Sequence, residues 1–575
     1  MKRLLVYLKE YKKECVLAPL FKMLEASFEL FVPLVIASII DNGIASGDKG
    51  ALTRDFFILV LLGFIGLVIA VTAQFFSAKA AVGFATKVRH HLFEHLMGLS
   101  YTEIDTLGTS TMITRMTSDV NQAQTGVNMF LRLFLRSPFV VFGAMIMAFT
   151  IDVKCALYFV FAIVGLSIVV FGIMALNIPM MKNVQRRLDE VLRRTRENLT
   201  GVRVLRAFCR EEDEIEGFVG SNEALTAIQK KSGSISGLMN PLTYVLINVA
   251  IVLLIYTGAV RVSLGDLSQG EVVALYNYMS QILVELVKLA NLIVTLNKAM
   301  ASANRISEVF AIESSMVDGT LPMEEKRGDI DKDYIRYDHV CLTYSSAKEE
   351  SLTDIDFAVK KGQTVGIIGG TGCGKTSLVH LLPRFYDVTK GAVILDGINV
   401  KDYRLDDLRE KVSIVMQKAV LFKGSIRENL QWRKADATDE EIMEAVRAAQ
   451  AFDVVEKKGG LDGEIEQNGR NLSGGQRQRL SIARSLVGNP EIIILDDSSS
   501  ALDFATDAAL RKSLKELNGN PTVFIVSQRT SSIQHADLIL VLEDGDLVGK
   551  GTHEELLTDC EVYREIHMSQ YKKEE

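Results

Sequence analysis

Three short stretches of this chain combine residue types that handle phosphate. Residues 369–376 read GGTGCGKT and fit the pattern G-x-x-x-x-G-K-[ST]. The glycines Gly369, Gly370, Gly372 and Gly374, with Thr371 and Cys373 between them, let the backbone curl until its N–H groups point at phosphate oxygens. Lys375 is expected to reach the β- and γ-phosphates and Thr376 to ligate magnesium, and Ser377 belongs to the same nucleotide-binding set. A second stretch, Leu472, Ser473, Gly474, Gly475 and Gln476, stands at a loop-to-helix junction, where free backbone amides favour an anion. Alone, Ser473 also has a reading as an ordinary helix cap. The third, IIILDD at 492–497, reads as a buried strand that carries Asp496 to its tip, where it serves the water shell of magnesium.

Strands and helices must hold these residues in place. VGIIG before the glycine loop is a strand, and SLVHLL after it opens a helix, the setting a phosphate loop requires. The chain has 575 residues, too many for one core, so two or more domains are expected. Its 48% hydrophobic and 23% charged residues hide a split, because nearly all long apolar stretches fall in the first 300 residues. Apolar windows near 16–40, 55–80, 129–150, 155–177, 238–260 and 271–296 each approach the ~20 residues that cross hydrocarbon.

Residues 178–236 hold eleven Lys/Arg, whereas the three short loops opposite (41–54, 151–154 and 261–270) hold four. Cationic excess marks the cytoplasmic side. The N-terminus, two inner loops near 81–128 and 178–236, and everything after 300 are therefore expected in the cytoplasm, with the spans in the cytoplasmic membrane. The inner loops are rich in helix formers, so the spans are expected to run on as helices and turn back inside. The basic, amphipathic start MKRLLVYLKEYKKE is expected to lie on the inner membrane surface. Gly319, Pro322 and Gly328 among many charges read as a linker. The expected domains are thus 1–300, transmembrane; 301–333, linker; and 334–575, nucleotide-binding. Six scattered cysteines without a CxxC pair are expected as free thiols, and a net charge of −7 gives no support to a nucleic-acid partner.

Taken together, the order and spacing of GGTGCGKT, LSGGQ and IIILDD resemble the nucleotide-binding domain of an ABC transporter. Tyr344, in HVCLTY, matches the aromatic residue that stacks on adenine. Gln417, in SIVMQ, matches the Gln that contacts magnesium and faces the membrane domain. SALD at 500–503 matches the loop that crosses the dimer interface, with Asp503 at its end, and GDLVGKGTHEELL at 545–557 matches the closing strand and helix. YTEIDTLGTSTMITRMTSDV (101–120) and ENLTGVRVLRAFCREEDE (197–214) look like the two inner loops of six-span exporters, which carry coupling helices. The resemblance implies an α-helical six-span transmembrane domain followed by a cytoplasmic α/β P-loop ATPase domain. It also implies ATP and Mg2+ as cofactors and a half-transporter that works with a second half-transporter. Six spans exclude a soluble ABC ATPase of DNA repair.

Two positions depart from the family pattern. In the family, each ATP lies between one subunit's phosphate loop and the other's LSGGQ. The acid after the strand aspartate is normally Glu, which polarises the attacking water, and a switch His stands near the γ-phosphate. Here those positions hold Asp497 and Gln528. Asp is one methylene shorter, so its carboxylate retreats by about 1.5 Å. Gln528 still donates a hydrogen bond but bears no proton-linked positive charge. Tyr344, Lys375, Thr376 and Asp496 are intact, so this half-site is expected to bind ATP and hydrolyse it poorly. Gln467, in GEIEQNGRN at 463–471, stands where many exporters have Glu. An unaltered LSGGQ beside a weak half-site implies a heterodimer whose partner brings Glu and His. A slow homodimer with tolerated substitutions is the alternative.

In the membrane half, Lys22, Glu25 and Glu29 share one helix face of the first span. Gln281, Glu285 and Lys288 make a similar stripe in the sixth, and Asn240 and Asn248 mark the fifth. Such groups face water or each other. One reading is a substrate cavity lined by Glu25, Glu29, Asn248, Gln281 and Glu285, with Glu25 or Glu29 meeting cationic amphipathic compounds. The other is structural ion pairing, Lys22 with Glu25 or Glu285 with Lys288. Arg132 and Arg136 are expected to snorkel to headgroups. The expected function is ATP-driven export of small amphipathic compounds. Alternatives are a lipid or peptide exporter and an ATP-gated, channel-like or regulatory subunit. No peptidase domain precedes the first span, which disfavours self-processing peptide exporters.

Overall fold

The computed structural model describes residues 4–322, 333–345 and 347–571. It divides into two compact units, Met1–Met97 with Ser110–Ile312, and Gly98–Thr109 with Glu313–Glu575.

The first unit is helical. Its elements are α1 (Lys12–Ser38) and α2 (Lys49–Met97); after α3 (Tyr101–Leu107), which groups with the second unit, come α4 (Thr109–Thr114), α5 (Val120–Leu133) and α6 (Arg136–Ile151). There follow α7 (Val153–Thr200), α8 (Val202–Ala207), α9 (Glu211–Gly237), α10 (Met239–Ser263) and α11 (Gln269–Val309). Among the described residues, six helical stretches are long and apolar enough to cross a membrane. α2 has 49 residues and α7 has 48. At 1.5 Å per residue each is about 70 Å long, more than twice the ~30 Å of hydrocarbon. Both inner loops are therefore continuations of spans, turned by short helices. The breaks after α5 and α9 have a common cause. Pro138 and Pro241 lack the N–H that would bond the carbonyls of Phe134 and Gly237, four residues back.

Specific contacts fix the bundle. The Tyr278 hydroxyl donates to the Leu30 carbonyl at 2.6 Å, tying α11 to α1. Asp41 accepts from the Ser268 hydroxyl (2.5 Å) and the Gly270 N–H (2.8 Å). A side chain at Gly270 would collide with the Ala37 carbonyl. The amphipathic N-terminal segment packs along α2, with Glu10 on Lys87 at 3.0 Å and Glu14 on Lys79 at 2.8 Å. α11 runs past residue 300 because Ala299, Ala303, Ile306 and Val309 continue its buried face. Of the expected linker, residues 323–332, with Gly328, lie outside the described residues. The Leu321 N–H donates to the Asp402 carbonyl at 2.9 Å.

The second unit holds a six-stranded sheet in the order Asp546–Gly551, Leu538–Glu543, Thr364–Gly369, Thr522–Val526, Ile492–Asp496, Val412–Val415. All but the first edge pair run parallel. Ile492–Asp496 and Thr522–Val526 are buried at every residue, so they read as unbroken apolar runs. The register pairs Val526 with Asp496 and with Ile367, and Val415 with Leu495. Four strands thus end side by side, and the segments leaving them share one edge, where α/β sheets place their ligands. An antiparallel sheet of Leu352–Val359, Ile335–Leu342, Lys390–Leu395 and Ile398–Asn399 completes the core. α3 packs within this unit: the Tyr101 ring stacks on Phe385 at 4.6 Å, and Asp105 accepts from the Tyr386 hydroxyl at 2.6 Å.

Candidate nucleotide site and charged membrane core

At that edge a cleft of about 330 Å³ is lined by Tyr344, Thr371, Gly372, Gly374, Lys375, Thr376, Ser377, Gln417, Asp496, Asp497 and Gln528. The glycine loop turns through Gly372 (φ 88°) and Gly374 (φ 93°), backbone that side chains resist. A Cβ on Gly374 would also meet the Ser351 carbonyl at 2.7 Å. Lys375 Nζ donates to the Gly369 and Gly370 carbonyls at 2.9 and 2.5 Å, a cation held only by neutral groups of the loop. Such a cradle suits a polyphosphate. The Thr376 hydroxyl donates to Asp496 Oδ1 at 3.0 Å, so the two oxygens expected to serve magnesium already meet. The Tyr344 hydroxyl donates to Ser377 at 2.9 Å, and its ring stands edge-on to Tyr386 at 5.0 Å.

Burial raises the pKa of Asp496, and the neighbouring Asp497 adds to the shift against the Thr376 hydrogen bond. Asp497 sits in a left-handed turn (φ 45°), its N–H donating to the Val526 carbonyl at 3.1 Å. Its carboxylate accepts from Gln417 Nε2 at 3.3 Å. Gln528 lines the cleft with an exposed side chain, while its carbonyl accepts from Gln570 at 2.7 Å. Sequence reasoning missed His380. It stands one turn after Thr376, with Nε2 3.8 Å from Asp496. Burial pushes its pKa down to about 4, so at neutral pH the imidazole is neutral and the contact is no ion pair. The i, i+4 spacing from Thr376 is the signal that could have found it.

Residues 472–476 and Asp503 do not line this cleft. Ser473 caps the helix Gly474–Leu486, accepting from the Gln476 N–H at 3.3 Å while Gln476 accepts from its own N–H at 2.9 Å. Asp503 caps Phe504–Lys515 through the Thr506 N–H at 2.8 Å.

Within the helical unit, the charged stripes are joined by a residue expected elsewhere. Arg136 does not snorkel outward. It is buried at 7% exposure and donates to Glu285 at 2.6 Å and to both Glu29 oxygens at 2.9 and 2.7 Å. A guanidinium inside a bundle needs paired carboxylates, and α1 and α11 supply them. Glu285 also accepts from Ser137 and Lys288, each at 2.8 Å, and Lys22 donates to Glu25 at 2.5 Å. Glu25, Glu29 and Glu285 are thus all compensated. Among the described residues Gln281 Oε1 is buried without a hydrogen bond, and the exposed Asn248 donates to the Tyr244 carbonyl on its own helix at 2.8 Å.

Comparisons with known proteins agree with this architecture. A family model for the ABC transporter transmembrane region matches residues 15–286, and one for the ABC transporter matches 352–500. An uncharacterized ABC transporter ATP-binding protein of Mycobacterium tuberculosis is 34% identical over 98% of this chain and 97% of its own. Another, of Bacillus subtilis, is 33% identical over 100% and 99%. The ATP-dependent lipid A-core flippase of Yersinia pestis is 30% identical over 99% and 97%. In fold, a bacterial Atm1-family ABC exporter solved with ATP bound aligns at a TM-score of 0.79 and 22% identity, covering 98% of this chain and 99% of that one. With matches that run from its first span to its ATPase unit, the chain belongs to the ABC transporters, in the exporter arrangement of six membrane helices followed by an ATP-hydrolysing domain.

Proposed function

We propose that this chain is the degenerate-site half of a heterodimeric exporter in the cytoplasmic membrane, with its N-terminus and ATPase domain inside. Domain limits of 1–300, 301–333 and 334–575 go with this reading. ATP would stack on Tyr344 and lie on the loop 369–376, with Mg2+ held by Thr376 and Gln417 and, through water, by Asp496. LSGGQ at 472–476 and Asp503 would complete the partner's site. The observation that carries the proposal is the pair Asp497 and Gln528 in an otherwise complete cleft. The Asp497 carboxylate is about 1.5 Å short of a Glu carboxylate. Gln417 already engages it, and Gln528 supplies no positive charge. Mispositioning near 1 Å costs about 10²-fold in rate. ATP binding would close the two ATPase domains, and hydrolysis at the partner's site would reset them.

The cargo proposed is a small amphipathic compound. Kinship with a lipid A-core flippase favours lipid export as the second reading. Compensation of Glu25, Glu29 and Glu285 weakens the case for cationic cargo. The test is ATPase activity of the purified chain alone and co-purified with a half-transporter that carries Glu and His. Slow turnover alone and about 10²-fold faster turnover together is expected. Brisk turnover by the single chain sinks the proposal.

A further inference from the structure

One cavity of the helical unit, about 620 Å³, opens between α7, the α9–α10 junction and α11. Met174, Met181 and Met239 line it with flexible, polarizable side chains that adapt to apolar chains of varied shape. Asn177 is a fixed polar point, donating to Ser236 at 2.7 Å and accepting from Ser232 at 2.8 Å. Lys182 and Lys298 also line it. Both are exposed, and neither forms an ion pair among the described residues. Its volume lies within the ~300–1,000 Å³ of ordinary ligand sites.

The lining runs from the hydrocarbon edge, where Met174 lies, to headgroup depth, where Met181 adjoins Lys182. Lys182 lies 29 residues after Val153, where α7 starts, and Lys298 lies 29 residues after Gln269, where α11 starts. At 1.5 Å per residue both lie about 44 Å along their helices, past the ~30 Å of hydrocarbon and level with inner headgroups. Met174, 21 residues along α7, lies at about 32 Å, near the hydrocarbon edge. On α11, Glu285 lies 13 residues before Lys298, about 20 Å along the helix, and is already paired with Arg136 and Lys288.

We infer that this cavity binds an anionic lipid of the inner leaflet, with its phosphate on Lys182 and Lys298 and an acyl chain along the methionines. The inference rests on the membrane orientation proposed above. It needs neither the partner subunit nor hydrolysis.

The test titrates fluorescent phosphatidylglycerol with the purified full-length protein in detergent micelles and follows anisotropy, with labelled phosphatidylcholine as the zwitterionic comparison. Phosphatidylglycerol should bind more tightly. Lys182→Gln with Lys298→Gln should weaken it about 30-fold, at about 1 kcal/mol per lysine and 1.4 kcal/mol per tenfold, and leave phosphatidylcholine unchanged. Lys182→Arg with Lys298→Arg should keep the preference. Equal affinity for the two lipids, or no loss in a folded Gln variant, overturns the inference. Should that variant not fold, acetylation of Lys182 and Lys298 in the wild-type protein decides: protection by phosphatidylglycerol supports the site, and equal modification overturns it. Orientation is tested apart, by labelling the exposed Cys209 with an impermeant maleimide in inverted vesicles and in intact cells. Labelling only in vesicles is expected; labelling in intact cells overturns the orientation and the lipid site with it. Brisk single-chain ATPase would sink the heterodimer reading and leave the lipid site standing.

Discussion

Replacing Arg136 by Met removes a guanidinium that joins glutamates of two other helices. Its partner Glu285 is 3% exposed and would remain charged beside Ser137 and Lys288. The other partner, Glu29, has a side chain 43% exposed. Breaking a buried pair costs about 3–5 kcal/mol. Glu29 is far less enclosed by the chain than Glu285, so its share is taken as that of an exposed pair, about 0–1 kcal/mol. Glu285 keeps Lys288, so the expected loss sits at the low end, about 3 kcal/mol. At ~2 °C per kcal/mol for a unit of this size, the unfolding midpoint should fall by roughly 6 °C. Adding Glu285→Gln removes the stranded charge and should restore most of the loss, because removing both partners is far less costly than removing one. The assay is the unfolding midpoint of the purified transporter in one detergent at one scan rate, for wild type, both single variants and the double. An unchanged midpoint for Arg136→Met, or a double variant no more stable than the single, would refute the reasoning.

Two further outcomes follow from the ATPase unit. Asp497→Glu with Gln528→His should raise ATP turnover at this half-site about 10²-fold, measured in the assembled transporter; no gain would mean that neither residue limits the rate. His380 carries a pH signature. Its folded pKa of about 4 lies below the unfolded value near 6.5, so the unfolded state takes up the proton first as pH falls. Stability should be full above ~6.5, decline by at most about 3 kcal/mol down to ~4, and then level off. Comparing unfolding midpoints at pH 7.5 and 5, His380→Phe should flatten that slope.

The amino-acid order alone was enough for the ATPase motifs and the number of spans. Both are local signals: GGTGCGKT states its own backbone requirement, and a run of ~20 apolar residues states its own solvent. Cys373 and the glycines of that loop needed only their neighbours to be read. The lengths of α2 and α7 were legible as helix-rich inner loops without their extent, because polar helices carry no apolar window to measure. What the sequence could not decide depended on distant partners. Arg136 looked like a snorkelling cation because its spacing from Arg132 says nothing of Glu29, 107 positions away, or Glu285, 149 positions away. His380 gained its neutral state from burial, which outweighs the opposing charge of Asp105. Asp497 showed its short side chain in the sequence, but its left-handed turn and its hydrogen bond with Gln417 came from parallel strands whose register aligns their ends. Local chemistry was written in the order of residues. Charge compensation was set by which helices and strands the fold brought together, since an ion pair depends on distance in space and not along the chain.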